Sequence, residues 1–169
     1  EIIVVDDCST DGTANRVEAF ASQRIKLLRM PSNSGAYAAR NAALAICRGD
    51  YITLHDADDW SYPSKLEFQA LFLLRNPNFV ACTTRRVRIS ENLDQLRLSS
   101  RGWIVGLNTS SVMIRREALI DIFHGWDDVR YAADTELFKR IQSVLGKSAI
   151  KHLQSSPLTF QRLTDISAS

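Results

Sequence analysis

Ile2-Ile3-Val4-Val5-Asp6-Asp7-Cys8-Ser9-Thr10-Asp11-Gly12-Thr13 is the stretch that decides the class of fold. A continuous β-branched run suits a strand buried on both faces, as in a parallel sheet, better than a half-exposed strand with alternating polarity. The run ends in two carboxylates and a Ser-Thr-Asp-Gly-Thr turn whose side chains suit the cap of a helix carried by Val17 and Phe20. The pattern then recurs. Residues 25–30 and 51–54 are expected strands, and 36–47 is an expected alanine-rich helix stopped by Arg48-Gly49. Helices are also expected over 65–74, 116–123 and 133–145, and strands over 79–84, 86–89 and 108–115, while 90–106 has no clear pattern. Repeated strand–helix–strand units with short loops predict an α/β domain with a mostly parallel sheet, whose ligands sit beyond the carboxyl ends of the strands.

The chain has 169 residues, 45% hydrophobic and 24% charged, which is the composition of a globular domain rather than a disordered or disulfide-scaffold protein. A net charge of +2 excludes a general nucleic-acid binder, so partners have to be read from local sites. Cys8, Cys47 and Cys82 form no C-x-x-C pair and leave an odd thiol, which argues against a zinc ribbon and for a reducing compartment. No apolar stretch approaches the roughly 18 residues of a membrane helix, so a cytoplasmic or membrane-peripheral location is expected. The chain opens in a strand-like run without a Met, and one domain over residues 1–169 lacking its first βα unit is the expectation.

Two acidic segments carry the candidate chemistry. Asp6 and Asp7 leave the first strand where a carboxylate can accept from a nucleobase or a ribose hydroxyl. The same turn has a second reading, since Asp7, Ser9, Asp11, Gly12, Thr13, Asn15 and Glu18 match the ligand spacing of an EF-hand calcium loop. That loop requires an entering helix, and residues 2–5 make a poor one. Asp56-Ala57-Asp58-Asp59 follows the strand at 51–54 and offers hard oxygen donors to magnesium or manganese. Three acids in four residues also repel one another unless a cation or a basic side chain compensates.

The order Ile-Val-Val-Asp-Asp-x-Ser-x-Asp-Gly-Thr, Asn33-Ser34-Gly35 with Ala39-Arg40-Asn41, Gly49-Asp50-Tyr51-Ile52 and Asp56-Ala57-Asp58-Asp59 resembles glycosyltransferase family 2 over nearly the whole chain. The resemblance implies a GT-A fold and an inverting, metal-dependent transfer of a sugar from a UDP-sugar donor to a hydroxyl of a sugar, glycan or lipid-linked acceptor, in polysaccharide or glycan synthesis. It assigns donor binding to Asp7, with Asp6 beside it, and to Asp56. The divalent metal, Mn2+ or Mg2+, falls to Asp58 and Asp59, and the general base to Asp134. The glutamate that precedes this base in relatives is replaced by Ala133. Gly125-Trp126-Asp127 resembles a segment on the acceptor side, where the Trp126 face would stack on a sugar, while Trp126 equally suits a place in the core. Arg40 is a candidate donor contact, and it and Arg140 suit carboxylates or phosphates. His55, His124 and His152 have no metal-ligand spacing. A sugar-phosphate nucleotidyltransferase is the rival enzyme, but the glycine-rich basic loop it needs is not visible. A non-catalytic nucleotide- or calcium-binding module is the other alternative.

Overall fold

The computed structural model describes residues 1–98, 102–129 and 131–163. The chain divides into two compact units, residues 1–50 with 116–140, and residues 51–115 with 141–169.

In the first unit β1 (Ile2–Asp6) pairs in parallel with β2 (Ile25–Arg29), from Ile2↔Ile25 to Asp6↔Arg29, with α1 (Thr13–Glu18) in the crossover. β1 is less buried than its apolar run predicts, with Ile2 57% exposed, because β2 is its one strand partner among the described residues. α2 (Ala36–Leu44) begins after Gly35, at φ +89, and its small side chains let it lie against β1. After residue 115 the chain returns to this unit, where Arg116 donates its backbone N–H to the Asp50 carbonyl and its Nε to that of Gly49. The helix expected at 116–123 is a single π-helical turn, Ala118–Ile122, and α4 (Ala133–Leu145) follows.

In the second unit, β3 (Tyr51–Thr53), β4 (Trp60–Ser61), β5 (Ala81–Ile89), β6 (Val105–Leu107), β7 (Met113–Arg115) and β8 (Ile150–Arg162) form one sheet. The strand order is β3-β7-β5-β8-β4, with β6 also on β5. Only β5 and β8 run parallel; the other pairings are antiparallel. The α/β class is as expected, but among the described residues parallel pairing is confined to β1–β2 and β5–β8. The expected strands at 79–84 and 86–89 are one strand, β5. The unpatterned stretch 90–106 contains part of β6, with 99–101 outside the described residues.

α3 (Lys65–Arg75) packs on β5 and turns Lys65, Gln69 and Leu73 inward at helical spacing. Leu73 is fully buried in a cluster with Cys82, Met113 and Leu153, against which Tyr51, Phe72 and Phe79 pack. Gln69 donates to the Ser111 carbonyl at 2.8 Å, joining α3 to the turn before β7. Leu73→Ala is expected to cost about 2–5 kcal/mol, because it removes transfer energy and leaves a cavity; urea unfolding measures it, and a cost below about 1 kcal/mol would mean that this cluster is not a packed core.

Candidate functional site

In the first unit both carboxylates at the end of β1 are engaged by backbone. Asp7 accepts from the N–H of Ser34 at 2.8 Å on one oxygen and from that of Gly35 at 2.7 Å on the other, while Asn33 Nδ2 donates to the Asp7 carbonyl at 3.3 Å. Asp7 therefore ties the first strand end to the turn that starts α2, and each oxygen keeps a further lone pair for a ligand. Asp6 is buried and accepts from the Ser9 N–H at 3.3 Å. Asp11 accepts from Thr13 N–H at 2.9 Å, and the Thr13 hydroxyl first and this N–H second hold its carboxyl below the ordinary value. The element entering this turn is strand β1, so the helix that an EF-hand loop requires is not there.

α2 carries two consecutive anchors. Arg40 Nη1 donates to both oxygens of Asp134, at 2.8 and 3.0 Å, with both side chains largely buried, and its guanidinium lies 4.9 Å from the Tyr37 ring centre. Asn41 accepts from the Trp126 N–H at 2.9 Å and donates to the Trp126 carbonyl at 2.7 Å. Arg140 holds the same segment from α4, donating to the carbonyls of Phe123 at 2.7 Å and Gly125 at 3.0 Å, and pairing with Glu136 at 2.8 Å and Asp127 at 3.4 Å. The structure thus brings the sequence candidates Arg40 and Asp134 together. Asp127 is half exposed beside Arg140. Trp126 is only 4% exposed, so it offers no open face for stacking on a sugar; its backbone is clasped, and its buried indole N–H has no partner. Ala133 is fully buried, leaving a glutamate at that position no solvent to reach.

In the second unit Asp56, Asp58 and Asp59 sit in the loop between β3 and β4, where Asp59 N–H donates to the Asp56 carbonyl at 3.0 Å. Asp59 accepts from Gln161 Nε2 of β8 at 3.2 Å. Burial is the main cause that pushes the Asp59 carboxyl above its ordinary value; the charges of Asp56 and Asp58 add to it against the Gln161 hydrogen bond. The compensating cation is Lys65, buried at the start of α3, its Nζ 3.5 Å from the Leu54 carbonyl. Burial lowers the Lys65 ammonium, and Asp59 and Asp56 oppose that. His55 contributes by pairing with Ser61 Oγ at 3.1 Å.

Among the described residues no three His, Cys, Asp or Glu side chains converge on a point that could hold a metal unaided. The acid loop nevertheless fits a hard divalent ion. Its donors are all oxygen, burial and then the charges of Asp56 and Asp58 disfavour the bare Asp59 carboxylate, and magnesium or manganese takes one or two carboxylates with phosphate and water completing the shell. Lys65, Asn41 and Gln161 were not singled out as site residues from the sequence. A lysine in an apolar helix pattern gives no sign that it is buried, and Gln161 lies far from every motif.

The family model for Glycosyl transferase family 2 matches residues 1–129, and the chain belongs to that family. An uncharacterized glycosyltransferase of Haemophilus influenzae is 33% identical over 132 residues, 70% of this chain and 52% of that protein. The UDP-Glc:alpha-D-GlcNAc-diphosphoundecaprenol beta-1,3-glucosyltransferase WfgD of Escherichia coli is 42% identical over 76 residues, 45% of this chain and 30% of that protein. The chain therefore spans about half, or less, of the length of these relatives. Among solved structures, glucosyl-3-phosphoglycerate synthase from Mycobacterium tuberculosis in complex with phosphoglyceric acid superposes with a TM-score of 0.74 at 18% identity, over 99% of this chain and 62% of that one. S. aureus TarS in complex with UDP-GlcNAc gives 0.69 at 18%, over 100% of this chain and 52% of that one. These likenesses make the fold GT-A-like.

Two outcomes follow from the geometry. At Gly125, with φ +86, an added Cβ would lie 2.5 Å from Asn41 Oδ1, so Gly125→Ala is expected to cost at least about 1–2 kcal/mol in urea unfolding; a neutral result would mean that the Asn41 clasp is loose. Asp59 is more protonated in the folded chain than in the unfolded one, so its contribution to stability is present at low pH and lost as pH rises through its raised folded value. Without metal, Asp59→Asn is expected to be more stable than wild type at pH 7, with the gap closing as pH falls into the ordinary carboxylate range. Equal stability at both ends would remove the strain from Asp59.

Proposed function

We propose that this chain is the donor-binding and catalytic part of an inverting glycosyltransferase that moves a sugar from a UDP-sugar to an acceptor hydroxyl. The observation that carries the reading is Asp134, fixed in the first turn of α4 by Arg40 Nη1 across both of its oxygens. A base gains from a second group that orients it, because proton transfer requires the carboxylate within hydrogen-bond reach of the hydroxyl as the new bond forms. In the reaction the acceptor oxygen attacks the anomeric carbon on the face opposite the diphosphate. Asp134 takes the hydroxyl proton, and the bond to the diphosphate breaks with its electron pair leaving on UDP. Ala133 supplies no second carboxylate beside the base, and Arg40 holds the one that is there in place across both of its oxygens.

Asp7 accepts from the base of the nucleotide through lone pairs its backbone contacts leave over, with Asp6 supporting the turn from below. Asp56 binds on the ribose side. Asp58 and Asp59 would hold Mn2+ or Mg2+, which when bound neutralises charge on the diphosphate leaving group. Three features support a nucleotide-sugar donor: membership of the family, the likeness in fold to a protein solved with UDP-GlcNAc, and the carboxylate oxygens gathered in the acid loop. WfgD is named for a diphosphoundecaprenol-linked acceptor, and an acceptor of a surface polysaccharide or glycan is the matching proposal for this chain. No helix among the described residues is long and apolar enough to cross a membrane.

Asp134→Asn is expected to lower transfer by about 100-fold or more while UDP affinity stays within about twofold of wild type. Transfer that survives the change removes Asp134 as the base. Asp58→Ala is expected to weaken Mn2+-dependent UDP binding about tenfold in calorimetry, and unaltered metal dependence would take the ion away from this loop.

A further inference from the structure

We propose that one face of the six-stranded sheet, built on Arg86, Arg88 and Thr159, is a binding site for a phosphoryl oxyanion. From Arg86 to Ile89 the pairing of β5 with β8 is regular, so Arg86 and Arg88 share a face while the buried Val87 takes the other. The register sets Thr159 beside Arg86 and Gln161 beside Arg88; Ser61 of β4 is opposite Thr159, and Gly106 of β6 is opposite Arg86. Residues in register lie on one face. Ser61, Thr159, Arg86 and Gly106 therefore form one row across four strands, with Gln161 and Arg88 in the next.

This row contains donors that the protein does not use up. Arg86 Nε donates to the Leu107 carbonyl at 3.2 Å, and the guanidinium carbon lies 3.9 Å from where a Cβ on Gly106 would be, so the absent side chain leaves that position open. Neither Arg86 nor Arg88 belongs to an ion pair among the described residues. Burial and the Arg88 charge lower the Arg86 guanidinium, with Asp59 opposing from beyond ion-pair distance. Thr159 is 2% exposed and its Oγ1 has no hydrogen-bond partner, whereas buried hydroxyls are nearly always bonded. Two adjacent like charges and an idle buried hydroxyl call for one group that is both anionic and rich in acceptor oxygens. A phosphoryl group meets both demands, and the planar guanidinium fork matches its oxygens.

Such oxygens have two sources within the proposed function, on which this inference rests: the diphosphate of the donor and a phosphate borne by the acceptor. Calorimetry separates them. Wild type, Arg86→Gln/Arg88→Gln and Thr159→Val are each titrated with UDP plus Mn2+, and with inorganic phosphate in the presence and absence of UDP. The double variant is expected to lose roughly tenfold in one of these titrations, and Thr159→Val a few-fold in the same one. Thr159→Val removes an unsatisfied hydroxyl and is expected to melt no lower than wild type, so its loss of binding cannot be a loss of fold. Weakened UDP binding assigns the site to the donor diphosphate; lost phosphate binding with UDP unchanged assigns it to the acceptor. Phosphate binding that depends on these residues in a chain that does not bind UDP sinks the donor reading and leaves the anion site standing. Variants that bind both ligands like wild type, or a wild type that binds neither, overturn the site.

Discussion

Two consecutive side chains of α2 hold the first unit's functional segments in place. Arg40 fixes Asp134, and Asn41 fixes the backbone of Trp126 in both directions. Their partners lie 94 and 85 residues away in sequence, so closing these contacts costs loop entropy that weak surface pairs would not offset. The contacts are short, partly buried and, for Arg40, charged, which is the class of hydrogen bond that contributes most. Consecutive helix positions lie about 100° apart, so one helix face cannot serve both partners, and α2 has to sit where two segments flank it. Its alanines permit that by keeping the helix close to β1.

The second unit solves a different problem. Three carboxylates share four residues, and the basic residue that answers them is Lys65, buried at the start of the helix that leaves the same loop. Asp59 faces Lys65 and, beyond ion-pair distance, Arg86, yet its carboxyl is raised, first by burial and then by the charges of Asp56 and Asp58. A larger counter-charge from the protein would relieve Asp59 but leave no charge for a cation to balance. The loop's residual charge and its oxygen donors are what make it suited to a divalent ion rather than to a structural salt bridge.

How far the sequence could be read depended on whether the signal was local. β1, α1, β2, α2 and α3 follow their hydrophobic and turn patterns closely, and both acidic segments lie at strand ends as their runs implied. β8, the longest strand among the described residues, had no expected element, and Ser155, Ser156 and Pro157 interrupt its apolar pattern. The sheet takes these residues up where the β5–β8 register shifts, and Pro157 sits opposite Arg85 at that irregularity. The break expected at Arg85, between strands 79–84 and 86–89, is not there: β5 runs through it, and Thr83 and Thr84 just before it are buried and bonded to His152 and Ser111. At the site, residue types were legible and their partners were not. Asp7 read as either ligand or turn residue, and its carboxylate is a backbone anchor; Trp126 read as either platform or core, and it is buried. Arg40 gave no sign of a carboxylate 94 positions away.

Backbone strain gathers at the same places. Four described non-glycine residues have positive φ, and three of them adjoin a candidate side chain: Cys8 follows Asp7, His124 precedes Trp126 by two residues, and Ala132 precedes Asp134 by two. Each left-handed residue costs about 1–2 kcal/mol and persists only where its surroundings over-determine it. Those surroundings are identifiable here. Asp7 is pinned to Ser34 and Gly35, the segment around His124 is held by Arg140 and Asn41, and the turn after Ala132 is held by Arg40 on Asp134. The carboxylates of Asp7 and Asp134 are thus themselves anchors that offset a local cost, and at Trp126 the anchors act on the backbone. An unstrained turn at any of these three points would not need so dense a set of anchors.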